Sequence, residues 1–224
     1  MSISLAILLP VYNDEKSLQM VLADIEKELQ YERHNIKVFI VNDGSINWLL
    51  DTGKFSYSIE VIHLVRNLGH QRAIAVGLSH IKENYINLDT IVMDSDGEDK
   101  VTDIKKLLLE NKKAPTEILF AARKRRTNGI KFKLFYYLYK MSFYLLTGKK
   151  ISFGNFALIP YPALCKLVYY SELWNNFPGT VLKSKLAYTS YPVERGSRYS
   201  GNSKMNFTSL LLHGLGAISV FLEI

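Results

Sequence analysis

Cysteine occurs once in these 224 residues, at Cys165. No disulfide can therefore close within the chain, and a reducing, cytoplasmic setting is the expectation. Glycine-rich phosphate loops are missing too: there is no GxxxxGK[ST], and no GxGxxG follows the first apolar run. A nucleotide, if bound, must be held by other means, and a metal ion is the natural substitute. No apolar run of about 18 residues precedes the C-terminal tail, which argues against a membrane span in the main body. The N-terminus passes from Met1 directly into a strand pattern, without the basic segment and small-residue cleavage site of a secretory signal. Acid is absent from residues 123–150, which carry nine lysines and arginines and much of the formal net charge of +7. Such a patch attracts phosphate-bearing partners: a nucleic acid, an anionic lipid or a phosphorylated substrate.

What is present centres on Ile91-Val92-Met93 followed by Asp94-Ser95-Asp96-Gly97-Glu98-Asp99. The apolar residues read as the end of a buried parallel strand. Carboxylates crowded at a strand end repel one another unless a cation holds them. An oxygen-only donor set on a short turn suits a hard ion such as Mg²⁺ or Mn²⁺ shared with a phosphate. A merely acidic polar loop is the competing reading.

Around this stretch the chain alternates. Leu5–Leu9, Lys37–Val41, Ile59–Val65, Thr90–Met93, Glu117–Ala121 and Tyr188–Val193 read as strands, and residues 154–160 as a turn feeding another. Leu18, Val21, Leu22, Ile25 and Leu29 form one helical stripe, with Asn13 or Asp14 placed to cap it. Further helices are expected from His70 to about Ile81 and over Val101–Glu110, while residues 47–57 show no period. Cys165, inside the apolar run Pro162–Tyr170, is expected in the core. Strand–helix alternation with a polar loop after each strand predicts an α/β fold, a mostly parallel sheet with helices on both faces. Ligands then sit beyond the carboxyl ends of the strands. Residues 130–147 are strongly aromatic between basic positions, which suits a helix in a membrane interface or a core helix with tyrosines at its edges. Residues 195–204 hold Arg195, Arg198 and Lys204 among Gly and Ser, either an anion receiver or a solvated loop. Residues 205–224 are apolar and suit a surface-lying or re-entrant helix better than a span.

With Pro10-Val11-Tyr12-Asn13-Asp14, Val41-Asn42-Asp43-Gly44-Ser45, Arg66-Asn67-Leu68-Gly69-His70, Asp94-Ser95-Asp96, Gly154-Asn155-Phe156 and Arg195 to Lys204 in this order, the chain resembles the family-2 glycosyltransferases of GT-A (Rossmann-like) fold. Within them it most resembles the branch that glycosylates polyprenyl phosphates, over nearly its whole length. The resemblance implies a catalytic domain over residues 1–204 and C-terminal membrane-associated helices beyond it. It implies that Pro10, Tyr12 and Asp14 frame the nucleoside, that Asp43 meets the base, that Asp94 touches the ribose or the metal shell, and that Asp96 holds Mg²⁺ or Mn²⁺ on the diphosphate, with Glu98 where the family's Gln helps bind the metal. Arg123 faces the phosphates, and Arg195, Arg198, Ser203 and Lys204 receive the acceptor lipid's phosphate. Asp96, Arg123 and Lys204 are the residues on which catalysis is expected to rest. The partners implied are a UDP- or GDP-sugar, a polyprenyl phosphate and the cytoplasmic face of a membrane, with a second copy or a membrane-anchoring protein as further candidates. Membrane-anchored relatives continue into transmembrane helices, whereas this sequence stops at Ile224.

Two departures stand out: Glu98 replaces a family Gln, and the prolines expected after it are absent. Asp14 is also shorter than the usual Glu. A lipid phosphate is already ionised and needs positioning only, whereas a sugar hydroxyl needs a base. The candidate base region offers Ser171-Glu172-Leu173, a poor base, so the lipid phosphate is the expected acceptor and inversion at the anomeric carbon the expected outcome. The rivals are a family-2 enzyme acting on a saccharide hydroxyl and a non-catalytic membrane-surface relative. Nucleic-acid binding is disfavoured for want of any recognisable motif.

Overall fold

The structure, a computed structural model, describes residues 5–29, 36–123, 153–201 and 215–221. One sheet contains β1 (Leu5–Val11), β2 (Ile36–Asn42), β3 (Ser58–His63), β4 (Asp89–Val92), β5 (Ile118–Arg123), β6 (Ala157–Ile159) and β7 (Tyr188–Val193). Their order is β3-β2-β1-β4-β6-β5-β7. β1 pairs in parallel with β2 and β4, β2 with β3, and β5 with β7. Among the described residues only β6 runs against its neighbours, β4 and β5.

The helices are α1 (Glu15–Glu28), α2 (His70–Asn84), α3 (Thr102–Asn111), α4 (Tyr161–Leu167) and α5 (Phe177–Ser184), with a 3-10 turn at Ser171–Trp174. They cover both faces, and the alternation of β1 explains how. Leu5, Ile7, Leu9 and Val11 point into a core closed by Leu18, Val21, Leu22 and Ile25 of α1 and by Ile104 and Leu107 of α3. Ala6 and Leu8 point the other way, into a core closed by Ala73, Ile74 and Leu78 of α2, Leu164 of α4 and Phe177 of α5. Because both faces of the strand are buried, its sequence is apolar throughout instead of alternating.

The expected strands and the first three helices are all present, with ends shifted by up to three residues. The region from Tyr161 to Ser184 is richer than its sequence suggested, folding as α4, the 3-10 turn and α5. Cys165 corrects its expectation. It is only half-buried, because Ala163, Leu164 and Leu167 supply the inward face of α4. Residues 47–57 are irregular, as expected, with a turn at 53–54, and are pinned where Tyr57 donates to the Leu22 carbonyl at 2.8 Å.

The expected interfacial helix at about 130–147, and most of residues 205–224, lie outside the described residues. Within 215–221, Ala217 is buried beside Leu182 of α5, with Phe153, Ile218 and Phe221 packed around them. Among the described residues no helix is long and apolar enough to cross a membrane.

Candidate active site

The sheet grows outward from β1 in two directions, to β2 on one side and β4 on the other. A crevice opens beyond the strand ends where a parallel sheet changes direction in this way. Tyr12 follows β1, Asp43 follows β2, Asp94 follows β4 by two residues, Arg123 ends β5, and Glu194 and Arg195 follow β7. Since β6 runs backwards, its start also lies at this rim. Val92 is in register with Ala157, which brings Asn155 to the neighbourhood of Asp94.

On the β2 side the loops are knitted by side chains that cap backbone amides. Asp43 is 3% exposed, and its two carboxylate oxygens accept from the amides of Leu68 at 2.7 Å and Gly69 at 3.0 Å. Burial pushes its carboxyl above the ordinary range, while those amides and nearby His70 pull the other way. The residue expected to meet a base therefore builds the loop that precedes α2. Gly44 makes this possible: its φ is +71°, and a Cβ there would stand 2.5 Å from the Arg66 carbonyl carbon. Asn13 ties β1 to the same loops, its amide donating to Ser45 Oγ and its side chain accepting from Ile46, each at 2.8 Å. Tyr12 is exposed at the rim, whereas Pro10 is buried and its carbonyl accepts from Ser95 Oγ at 2.8 Å.

The acidic loop is a shaped turn. Asp99, 3% exposed, accepts the Asp94 amide at 3.0 Å, and Asp96 Oδ1 accepts the Glu98 amide at 2.9 Å. Gly97 has φ of +87°, and the Tyr199 ring lies where its Cβ would project. The segment after β7 closes over this turn with backbone bonds, Gly196 N–H to Glu98 O at 2.8 Å and Tyr199 N–H to Asp96 O at 2.9 Å. The Tyr199 hydroxyl donates to Asp24 of α1. A cleft of about 400 Å³ lies behind the closure, lined by Asp24, Lys100, Thr102 and Tyr199 among others.

The side chains of that segment carry its electrostatics. Arg198 Nη1 donates to Asp96 Oδ2 at 2.8 Å, its Nη2 pairs with Asp14, and its Nε donates to the Ser200 carbonyl at 2.9 Å. Arg195 pairs with Glu98. Asp14 stands at the N-cap of α1 but makes no side-chain cap bond, because its carboxylate turns to Arg198. Two residues expected to receive an acceptor phosphate thus meet two residues expected to hold a metal.

The expected metal set can be tested on these contacts. Among the described residues no three His, Cys, Asp or Glu side chains are arranged as metal ligands. The donor set of Asp94, Asp96 and Glu98 is nonetheless the all-oxygen set a hard cation takes, and the Arg198 guanidinium marks where positive charge sits among them. Those residues fit a divalent ion by chemistry, provided the arginines give way.

His70, at the start of α2, went without a role in the sequence. Its Nε2 lies 3.1 Å from Asp94 Oδ1 and 3.0 Å from Asn155 Nδ2. Gln71 Nε2 donates to Asn155 Oδ1 at 3.0 Å and Gln71 Oε1 accepts the Phe177 amide at 2.7 Å. Protein atoms crowd part of the ring, while the rest is open to solvent. This crowding disfavours the charge, but Asp94, Asp99 and Asp96 prevail and hold the pKa above its ordinary value. The signal for these residues was their place in the His70 and Asn155 motifs; their meeting requires the reversed strand β6.

Glu172 lies in the 3-10 turn and pairs with Lys183 at 2.7 Å. That bond holds its carboxyl below the ordinary range, the opposite of what a base working near neutrality needs. Arg123 is placed by its backbone, in register with Val193. Ser203 and Lys204 lie outside the described residues.

Comparison with known proteins agrees with this architecture. Over 98% of its length the chain is 25% identical to an uncharacterized glycosyltransferase, YkcC, of Bacillus subtilis (strain 168), and it spans 68% of that protein. Over 58% of its length it is 23% identical to the dodecaprenyl-phosphate galacturonate synthase of Rhizobium johnstonii, spanning 38% of it. The mannosyltransferase PcManGT from Pyrobaculum calidifontis, solved in complex with GDP-Man and Mn²⁺, shares the fold with a TM-score of 0.57 and 14% identity, over 88% of this chain and 57% of that one. The model of the Glycosyl transferase family 2 matches residues 6–174, and the chain belongs to that family.

Proposed function

We propose that the chain is an inverting, metal-dependent glycosyltransferase that moves a sugar from a UDP- or GDP-sugar to a polyprenyl phosphate at the cytoplasmic face of a membrane. The observation that carries this reading is the meeting of Arg195 and Arg198 with Asp14, Asp96 and Glu98 at one rim. In this reading the cationic segment serves the acceptor and the acidic turn the donor, and the ion pairs bring the two together. The pairing of Glu172 with Lys183 adds support, since a hydroxyl acceptor would need a free base. Two relatives support the chemistry by their names: one makes a dodecaprenyl-phosphate sugar, the other was solved with GDP-Man and Mn²⁺.

In this reading the nucleoside diphosphate lies across the ends of β1 and β4, with Tyr12 and Asp14 at its nucleoside. A divalent ion, when bound, would be held by Asp96 and Glu98 with Asp94 and would offset the charge that builds on the leaving diphosphate. Arg123 assists from the end of β5. An ionised oxygen of the lipid phosphate attacks the anomeric carbon as the bond to the diphosphate breaks, and the nucleoside diphosphate departs with the electron pair. No proton has to be removed. Arg195, Arg198, Ser203 and Lys204 orient the attacking phosphate, and positioning with charge compensation supplies the rate.

Two variants test the assignment. Asp96→Asn should lower transfer by about a hundredfold or more, the scale for losing a group that stabilises transition-state charge, with the fold retained by circular dichroism. Lys204→Ala should weaken use of polyprenyl phosphate far more than binding of the sugar nucleotide. A screen of sugar nucleotides against undecaprenyl phosphate and saccharide acceptors, read by product mass, chooses the acceptor. Products on saccharides alone would give the hydroxyl-acceptor reading.

A further inference from the structure

We infer that Arg198, seconded by Arg195, is a positioning residue that competes with the divalent cation for the carboxylates of the acidic turn, so that the cation's arrival frees both arginines for the acceptor phosphate. The inference rests on the function proposed above and adds to it a coupling between the two substrates. Arg198 bridges Asp14 and Asp96, which belong to loops following different strands, and Arg195 takes Glu98. Asp96 Oδ1 already accepts the Glu98 amide, so Oδ2 is the oxygen turned toward the crevice, and Arg198 Nη1 donates to it at 2.8 Å.

A guanidinium and a divalent ion both seek the open oxygen of one carboxylate. A hard ion bound there takes oxygens at about 2.0–2.6 Å, and a guanidinium donating to the same oxygen would stand beside it as a second cation, so like-charge repulsion sets the two in competition. The geometry therefore has two occupancies. In the first the arginines neutralise the acids and cover the turn, and neither guanidinium is available to an anion. In the second the ion neutralises the acids, and two guanidinium groups stand released within reach of the same rim. Planar guanidinium groups suit phosphate oxygens as well as carboxylates, so their release adds two phosphate-binding groups to the acceptor site. The backbone bonds of Gly196 and Tyr199 to Glu98 and Asp96, with the Tyr199–Asp24 bond, keep the segment near the turn during the exchange. Coupling of this kind is reciprocal: what the cation does for phosphate affinity, phosphate must do for cation affinity.

The experiment uses the full chain and two simple probes, Mn²⁺ alone and a short isoprenyl phosphate. Arg198→Gln removes the competitor and should bind Mn²⁺ about fivefold or more tightly than the unaltered chain, the lower end of usual coupling energies. Arg195→Gln should do the same to a smaller degree and serves if the first variant folds poorly. In the unaltered chain Mn²⁺ should tighten binding of the isoprenyl phosphate, and in Arg198→Gln that enhancement should shrink to what Arg195 alone supplies; an undiminished enhancement would overturn the coupling. Mn²⁺ binding no tighter in either variant than in the unaltered chain would overturn the competition, as would isoprenyl phosphate binding indifferent to Mn²⁺. If those results came from a chain that still makes polyprenyl-phosphate sugar, only the coupling would fall. A chain that neither binds Mn²⁺ nor transfers sugar would take the functional reading down with it.

Discussion

At the scale of single residues, like letters take unlike parts. Asp14 and Asp43 both follow strands and both read as nucleoside contacts. Asp14 meets Arg198 in the crevice, whereas Asp43 is sealed beneath the Leu68–Gly69 loop with both oxygens holding amides. Replacing Asp43 by Asn keeps the shape but turns an NH₂ group toward one of those amide donors. An unsatisfied buried donor costs about 1–3 kcal/mol. Asp43→Asn is therefore expected to lower stability by about that much in urea titration, and to weaken nucleoside diphosphate binding because the loop before His70 loosens. Unchanged stability would mean that the loop holds without those bonds. Nothing in the motif Asn42-Asp43-Gly44 announces this, since the donors lie more than twenty residues downstream.

At the scale of elements, β3 and α2 are joined away from the crevice by a compact polar cluster. Glu60 of β3 meets Lys37 of β2 at 2.9 Å, His80 of α2 at 2.5 Å and Tyr85 at 2.5 Å. Burial works to raise the Glu60 carboxyl, but Tyr85, Lys37 and His80 together bring it down to about 2. A carboxyl depressed in the folded state stabilises the fold above its ordinary value near 4.5. That stabilisation is lost as pH falls from there through about 2. Partial exposure trims the effect to about 1–2 kcal/mol. Glu60→Gln should accordingly be less stable at neutral pH and show a flatter stability curve between pH 4.5 and 2 than the unaltered chain; parallel curves would remove Glu60 from acid sensitivity. β3 is an edge strand, and charges on an edge also discourage pairing with other sheets.

At the scale of the whole molecule, charge is unevenly spread: residues 123–150 carry nine basic side chains and no acid. Each Lys or Arg near an anionic bilayer contributes about 1 kcal/mol, screened within a Debye length. The chain is expected to co-sediment with vesicles containing anionic lipid, to release them at high salt, and to lose about tenfold or more of its affinity when Lys124, Arg125 and Arg126 become Gln. Equal binding to neutral and anionic vesicles, untouched by salt, would discard a charge-driven membrane encounter. This also decides where a polyprenyl phosphate acceptor would be met, since such a lipid stays in its bilayer.

Periodicity and turn chemistry by themselves determined the strands, the first three helices, the doubly covered sheet and the rim where the polar loops gather, because burial on both faces of a strand leaves an apolar run that a linear reading detects. The ordered motifs determined the family. Tertiary structure alone decided which charges meet. Asp96 and Arg198 are 102 residues apart, and nothing local records that the segment after β7 folds over the turn after β4. Asn155 reaches His70 only because β6 runs backwards, and Asp14 leaves its helix cap only because a guanidinium arrives. Pairing energies of this kind depend on distance in space, which a sequence does not list. The acidic turn could thus be read as a place for a cation, while the arginines that hold it became visible only in the fold.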